Sequence, residues 1–123
     1  MANAVHLDKL VSFSPEPSSD GGYRFSFSAR GSEGGVLAIM VDTTDIKMNE
    51  EGGKGKVKID FFIVDLDSQT EFRCNSWNVA VGQNDVLTPD YCGARNYVLV
   101  TLPANSSGVP GVVVGANAML AVK

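Results

Sequence analysis

Few residues of this chain have the types and spacing that catalysis or metal binding requires. The single histidine, His6, lies between the apolar residues Val5 and Leu7, which favours a strand position over a metal ligand or a general base. Zinc sites need three or four His, Cys or carboxylate ligands at characteristic spacing. His6 together with Cys74 and Cys92 provides neither the number nor a paired-ligand motif, and a Cys–His nucleophile pair would require a chance meeting in the fold.

The acidic segment VDLDSQTE contains candidate ligands for a calcium ion. Asp65, Asp67, Gln69 and Glu71 alternate with other residues and would share one face of a strand. Such a row of oxygen atoms can hold Ca²⁺, but the segment lacks the glycine turn and the terminal bidentate Glu of an EF-hand loop. The pattern therefore favours a solvated strand face over a calcium site.

Phosphate-binding and hydrolase motifs are missing as well. The segment EEGGKGKV contains glycines and lysines without the spacing, or the following Ser or Thr, of a phosphate-binding loop. No Gly-x-Ser-x-Gly elbow occurs. We therefore predict that the protein is not an enzyme and that it uses no cofactor and no metal.

Charge and composition narrow the range of partners. The formal net charge of −4 argues against nucleic acid and anionic membranes, both of which attract basic surfaces. The N-terminal residues lack the pattern of a secretory signal, and no apolar run reaches the roughly 18 residues of a membrane span. These features predict a protein made in the cytoplasm, with Cys74 and Cys92 as reduced thiols. In an oxidising environment one disulfide between them is the alternative.

Any site must be positioned by strands, because period-two patterns dominate the chain. In YRFSFSAR, residues 23–30, aromatic and apolar side chains alternate with polar ones, as in a half-buried strand. Residues 36–41 and 57–63 are further strands, which we connect as a long hairpin around residues 49–55. QTEFRC and NSWNVAV are two short strands, GQNDVLTPDYCGARN is an irregular connection, and three more strands close the chain.

The succession of short predicted strands indicates the fold class. Length and composition favour a single all-β domain over residues 1–123. Seven to nine strands separated by Gly-rich turns suggest an antiparallel β-sandwich or jelly roll, with a small closed β-barrel as the alternative.

The segment from residue 96 to residue 122 is the strongest functional clue, because it contains no Asp, Glu, Lys or Arg. Strands of this kind aggregate when they form an exposed edge. Either they lie centrally in the domain, or a second subunit covers them. For the second case we predict a partner interface that includes Val109, Val112, Val113, Val114, Met119 and Leu120.

These observations predict a non-enzymatic structural protein that acts as a homo-oligomer or as one tile of a larger protein shell. Its most specific form is a component of a bacteriophage virion, either a capsid cement (decoration) protein or a tail protein. The alternative is a small lectin-like module. In that module Trp77, Tyr91 and Tyr97 would form the platform for a small polar ligand.

Overall fold

A computed structural model describes residues 7–19, 21–31, 34–90 and 93–123. Every regular element in these ranges is a β-strand, and two antiparallel sheets form the body of the fold. Neither sheet closes into a barrel, so the structure confirms the predicted antiparallel β-sandwich. The described ranges contain no helix long and apolar enough to cross a membrane.

The smaller sheet has four strands that are far apart in the sequence. Its order is β1 (Lys9–Phe13), β11 (Gly111–Ala116), β4 (Leu37–Asp42) and β8 (Asn84–Leu87). Strand β11 pairs with both β1 and β4, which makes it a central strand, while β1 and β8 form the two edges.

The larger sheet carries the longest strands. Its order is β12 (Leu120–Val122), β3 (Gly22–Gly31), β9 (Arg95–Thr101), β6 (Lys56–Val64) and β7 (Glu71–Ala80), and β2 (Glu16–Pro17) also pairs with β3. Two short strands, β5 (Lys47–Met48) and β10 (Ser106–Ser107), pair separately.

The core lies between the facing sides of the two sheets. Phe25 and Phe61 of the larger sheet and Ile39 of the smaller one are completely buried. Aromatic rings connect the layers: the Phe27 ring lies 5.5 Å from that of Phe13 in β1 and 6.3 Å from that of Phe61 in β6. The alternation in residues 23–30 reflects this arrangement, because every second side chain of β3 enters the core.

The predicted hairpin around residues 49–55 is wrong, because β4 and β6 belong to different sheets. The chain leaves the smaller sheet at Thr43, a fully buried residue. The Thr43 hydroxyl donates a hydrogen bond to the carbonyl oxygen of Gln83 at 2.6 Å and accepts one from the Gln83 amide at 3.0 Å. These bonds join the turn after β4 to the approach of β8, and the chain then crosses to the other layer.

Two further predictions need correction. The segments QTEFRC and NSWNVAV form one ten-residue strand, β7, whose register against β6 shifts between Phe61 and Phe62. The predicted irregular connection contains strand β8, which pairs with β4 through Leu87 and Val86. A β-bulge absorbs one extra residue and bends the strand, so it interrupts the alternation that would have revealed a continuous strand.

Candidate interaction surfaces

The outer face of the smaller sheet carries an apolar patch that crosses all four strands. We call it the outer patch and define it as Leu10, Met40, Val86 and Val113, one residue from each strand. Leu10 is 63 % exposed and Val86 is 61 % exposed, whereas Met40 and Val113 are half-buried between them. All four residues line one shallow groove of about 430 Å³.

The strand register explains why these side chains meet. Val113 pairs with Met40, and Met40 pairs with Val86, so the three form one cross-strand row. Leu10 pairs with Gly115 in the next row of the same face. A Cβ at Gly115 would lie 3.2 Å from Leu10 Cδ2 and 3.3 Å from Met40 Cε, so the absence of a side chain at Gly115 lets Leu10 and Met40 approach each other.

The β4–β8 side of the outer patch has an acidic border. Asp42, Asn84 and Asp85 line the same groove at the β4–β8 side. Asp42 accepts hydrogen bonds from the hydroxyl of Thr44 and, at 2.8 Å, from its amide. These bonds lower the pKa of Asp42, so this border is negatively charged at neutral pH.

The structure divides the six predicted interface residues between core and surface. Val112, Val114 and Leu120 are at most 7 % exposed and belong to the core, so they cannot contact a partner of the folded domain. Adjacent strand residues point to opposite faces, which is why Val113 alone of the valine run faces outward. Val109 and Met119 are exposed, but neither is among the residues that line the groove of the outer patch.

The proposed aromatic platform does not form from the described residues. Trp77 pairs with the buried Ile59 and packs against the core from the inner face of the larger sheet. Tyr97 pairs with Phe62 and lies on the outer face of the same sheet. Trp77 and Tyr97 therefore cannot stack against one ligand, and Tyr91 lies outside the described residues.

Tyr97 is instead the centre of a packed cluster on the outer face of the larger sheet. Its ring stacks on Phe62 with centroids 4.6 Å apart, and the Arg24 guanidinium lies 3.7 Å above the ring centroid. The Tyr97 hydroxyl donates to Glu71 Oε2 at 2.7 Å, and Arg24 Nη2 lies 3.6 Å from Glu71 Oε1. These contacts bury an outward-facing tyrosine to 5 % exposure.

A pH experiment tests this cluster. Burial of the ring, with the hydrogen bond to Glu71 and its negative charge, raises the pKa of Tyr97 to about 12. The unfolded chain loses this proton near pH 10 while the folded protein keeps it. The free energy of unfolding should therefore fall as the pH rises from about 10 to about 12. Urea titrations across this range should show a smaller fall for Tyr97→Phe; equal slopes for both proteins would contradict the assignment.

Asp60 lies on the same outer face of the larger sheet. Its carboxylate is buried between two cations. Its side chain is only 6 % exposed, with Lys58 Nζ and Arg73 Nη1 each 3.9 Å from a carboxylate oxygen. Asp60 Oδ1 accepts no hydrogen bond in the described part of the chain. A buried carboxylate of this kind depends on its neighbouring cations for stability.

Residues 65–70 of the acidic segment form a loop, and only Glu71 lies in a strand, so the predicted strand face does not form. Residues 65–70 connect β6 to β7, and Asp65 Oδ1 accepts bonds from the amides of Ser68 at 3.1 Å and Asp67 at 2.9 Å. These two bonds lower the pKa of Asp65. The carboxylate is thus used to shape the turn. Among the described residues no group of three or more His, Cys, Asp or Glu side chains is arranged to hold a metal ion.

Of the two cysteines and the single histidine, only Cys74 lies among the described residues. Cys74 is a free, partly buried thiol whose sulfur lies 3.6 Å from the carbonyl oxygen of Phe72. Burial raises the pKa of the Cys74 thiol, which lowers its nucleophilicity at neutral pH. Cys92 and His6 lie outside the described residues, so the predictions made for them remain predictions.

Of the four residues of the outer patch, only Val113 was predicted from the sequence as an interface residue. Met40 lies in a run that is apolar on both faces, so its parity did not distinguish core from surface. Leu10 belongs to the short edge strand β1, and Val86 to the edge strand β8, a segment that was predicted as an irregular connection. Comparison with known proteins found no matching family model, no matching curated protein and no matching solved structure.

Proposed function

We propose that this protein is a non-enzymatic assembly protein and that a second copy of the chain covers its outer patch. The observation that supports this proposal is the continuity of the patch across all four strands of the smaller sheet. Single exposed apolar residues are ordinary on protein surfaces. A contiguous apolar groove with a polar border is instead typical of an interaction site.

The energetics favour covering this surface. Complete burial of a Val, Leu or Met side chain contributes roughly 1.5–3 kcal/mol relative to full exposure. Leu10 and Val86 retain more than half of their exposure in the single chain. A partner that covers both would therefore gain a substantial part of that free energy, before the cost of association is subtracted.

Twofold symmetry makes the patch complementary to itself. A twofold axis that runs along the strands between two facing sheets would place β1 of one copy over β8 of the other. In the row formed by Val113, Met40 and Val86, Met40 of each copy would then lie opposite Val113 of its partner, while Leu10 would lie one row away from the partner's Val86. The same operation would keep the two copies of Asp85, on the edge strand β8, on opposite sides of the interface.

In its most specific form, the proposal makes this chain a component of a bacteriophage virion, as a capsid cement or tail protein. The support for this form is the fold class, because two-sheet antiparallel domains recur in viral shells. A lysine at the outer patch would weaken attachment to such a shell as well as pairing of two copies.

A positive charge introduced into the outer patch tests the interface. Val86→Lys places an ammonium at an exposed position, so the monomer should remain folded while association weakens by at least about tenfold. The measurement is the molar mass by light scattering across a dilution series. Leu66→Lys is the matched control, because Leu66 is also exposed, at 46 %, but lies in the loop between β6 and β7. Equal masses for Val86→Lys and the wild type would contradict the proposed interface.

A further inference from the structure

The outer face of the larger sheet contains a basic groove of about 400 Å³ that the proposed assembly surface does not use. Its lining includes the cationic residues Arg24, Arg95 and Lys123 and the hydroxyl residues Ser26 and Ser28, and contains no Asp or Glu. This concentration of positive charge stands out because the chain as a whole has a formal net charge of −4. We propose that the groove binds an oxyanion group, namely a phosphate or carboxylate, through these cations and the Ser26 hydroxyl, since the Ser28 hydroxyl already donates to the carbonyl oxygen of Lys123 at 3.4 Å.

The strand register places two of the cations on either side of a hydroxyl. Ser28 pairs with Arg95 of β9, and on its other side the Ser28 amide donates to the carbonyl oxygen of Lys123 at 2.8 Å. Neighbouring strands lie about 4.8 Å apart, so the backbones of Lys123 and Arg95 are separated by about 10 Å. Both side chains are long enough to reach an anion above Ser28.

The third cation is held in place before any ligand arrives. Arg24 Nε donates to Ser26 Oγ at 3.3 Å, and the guanidinium is stacked on the Tyr97 ring. Its contact with Glu71, at 3.6 Å, uses one terminal nitrogen. The bonded Ser26 hydroxyl oxygen acts as an acceptor and leaves its own proton available to the groove. A preorganised guanidinium loses less side-chain freedom when it binds an anion.

The side chains of Arg95 and Lys123 have no Asp or Glu partner among the described residues. In the described part of the chain, neither side chain forms an ion pair, whereas Arg24, Lys58 and Arg73 each do. Both cations line the same groove, so an oxyanion bound there would be attracted by both. Charge-assisted hydrogen bonds from Arg and Lys are the usual means of holding carboxylate and phosphate groups.

Titration with inorganic pyrophosphate tests the site. The full chain is titrated at about 20 mM salt, where screening is weak, and the amide signals of Ser26 and Ser28 are followed by nuclear magnetic resonance. We expect saturable shifts at these residues. Arg95→Gln should weaken binding by about fivefold or more, since the lost interaction lies in a partly exposed groove. Arg95 is exposed, so the variant should keep the wild-type spectrum elsewhere.

Lys56→Gln is the matched control, because it removes one positive charge from the same sheet at the opposite end of β6 from the groove. Its affinity should stay within about twofold of the wild type. The proposal is overturned if no saturable shift occurs up to about 10 mM pyrophosphate, or if Lys56→Gln weakens binding as much as Arg95→Gln. A tetraglutamate peptide then identifies the source: displacement of pyrophosphate indicates an acidic protein segment, and no displacement indicates a free phosphate compound.

Discussion

Replacing Val112 by Lys is expected to unfold the protein, whereas the same change at Val113 should leave it folded. Val112 is 2 % exposed and points into the core, so a lysine there would place an unpaired ammonium among apolar side chains. The cost is about 4 kcal/mol or more, a large part of the roughly 5–15 kcal/mol that stabilises a typical domain. Val113 points to the outer face, where an ammonium reaches water and costs about 1 kcal/mol or less.

Circular dichroism and urea denaturation measure this difference directly. Val112→Lys should show little cooperative unfolding, and Val113→Lys should unfold close to the wild type while failing to associate. Because the two residues are adjacent, they share the same local sequence and differ only in the face to which they point. Comparable stability of the two variants would show that the core-facing and outward-facing residues of β11 are wrongly assigned.

Truncation of Phe61 should cause the second large loss. Phe61 is completely buried, and its ring lies near that of Phe27, which in turn contacts Phe13 of the other sheet. Phe61→Ala removes the end of this aromatic chain and leaves a cavity between the layers. The expected loss in the free energy of unfolding is about 3–5 kcal/mol.

The control for this prediction is Phe72→Ala, which removes the same side chain from a 53 % exposed position on the neighbouring strand β7. Its expected cost is below about 1 kcal/mol. Urea denaturation of the two variants under identical conditions compares them. If Phe72→Ala were as destabilising as Phe61→Ala, the core would not lie where the structure places it.

The alternation of apolar and polar residues predicted a strand correctly where one face of the strand is exposed to solvent. Residues 23–30 were predicted as a strand, and β3 covers residues 22–31, because polar Arg24 and Ser26 mark the outer face. Residues 36–41 carry no such mark, since Ala38 and Met40 on the outer face are as apolar as the core residues beside them. The pattern therefore identified a strand there but not its partners.

Strand pairing depended on contacts that the local sequence does not encode. Strand β4 pairs with β11 and β8, which follow it by more than forty residues, and no turn motif connects them. The turn after β4 is bonded through the buried residue Thr43 to the approach of β8 and not to β6. Only the three-dimensional arrangement reveals that Thr43 bonds to Gln83.

The structure accounts for most of the uncharged segment without a partner. Strand β9 is internal to the larger sheet and β11 to the smaller one, so both have strand neighbours on two sides. Asn96, which is 1 % exposed, bonds to both the amide and the carbonyl of Gly93, so this polar side chain is satisfied within the domain. Three successive valines conceal which of them faces outward, and this is why Val112 and Val114 were predicted at the interface.

Sedimentation equilibrium of the wild-type protein at micromolar concentration tests the central claim most directly. The chain has a mass of 13.0 kDa. If a second copy covers Leu10, Met40, Val86 and Val113, the measured mass should be at least twice that value and should decrease on dilution. A mass of 13.0 kDa that stays constant up to about 100 μM would mean that any self-association is weaker than about 5–6 kcal/mol, and the assembly function would be contradicted.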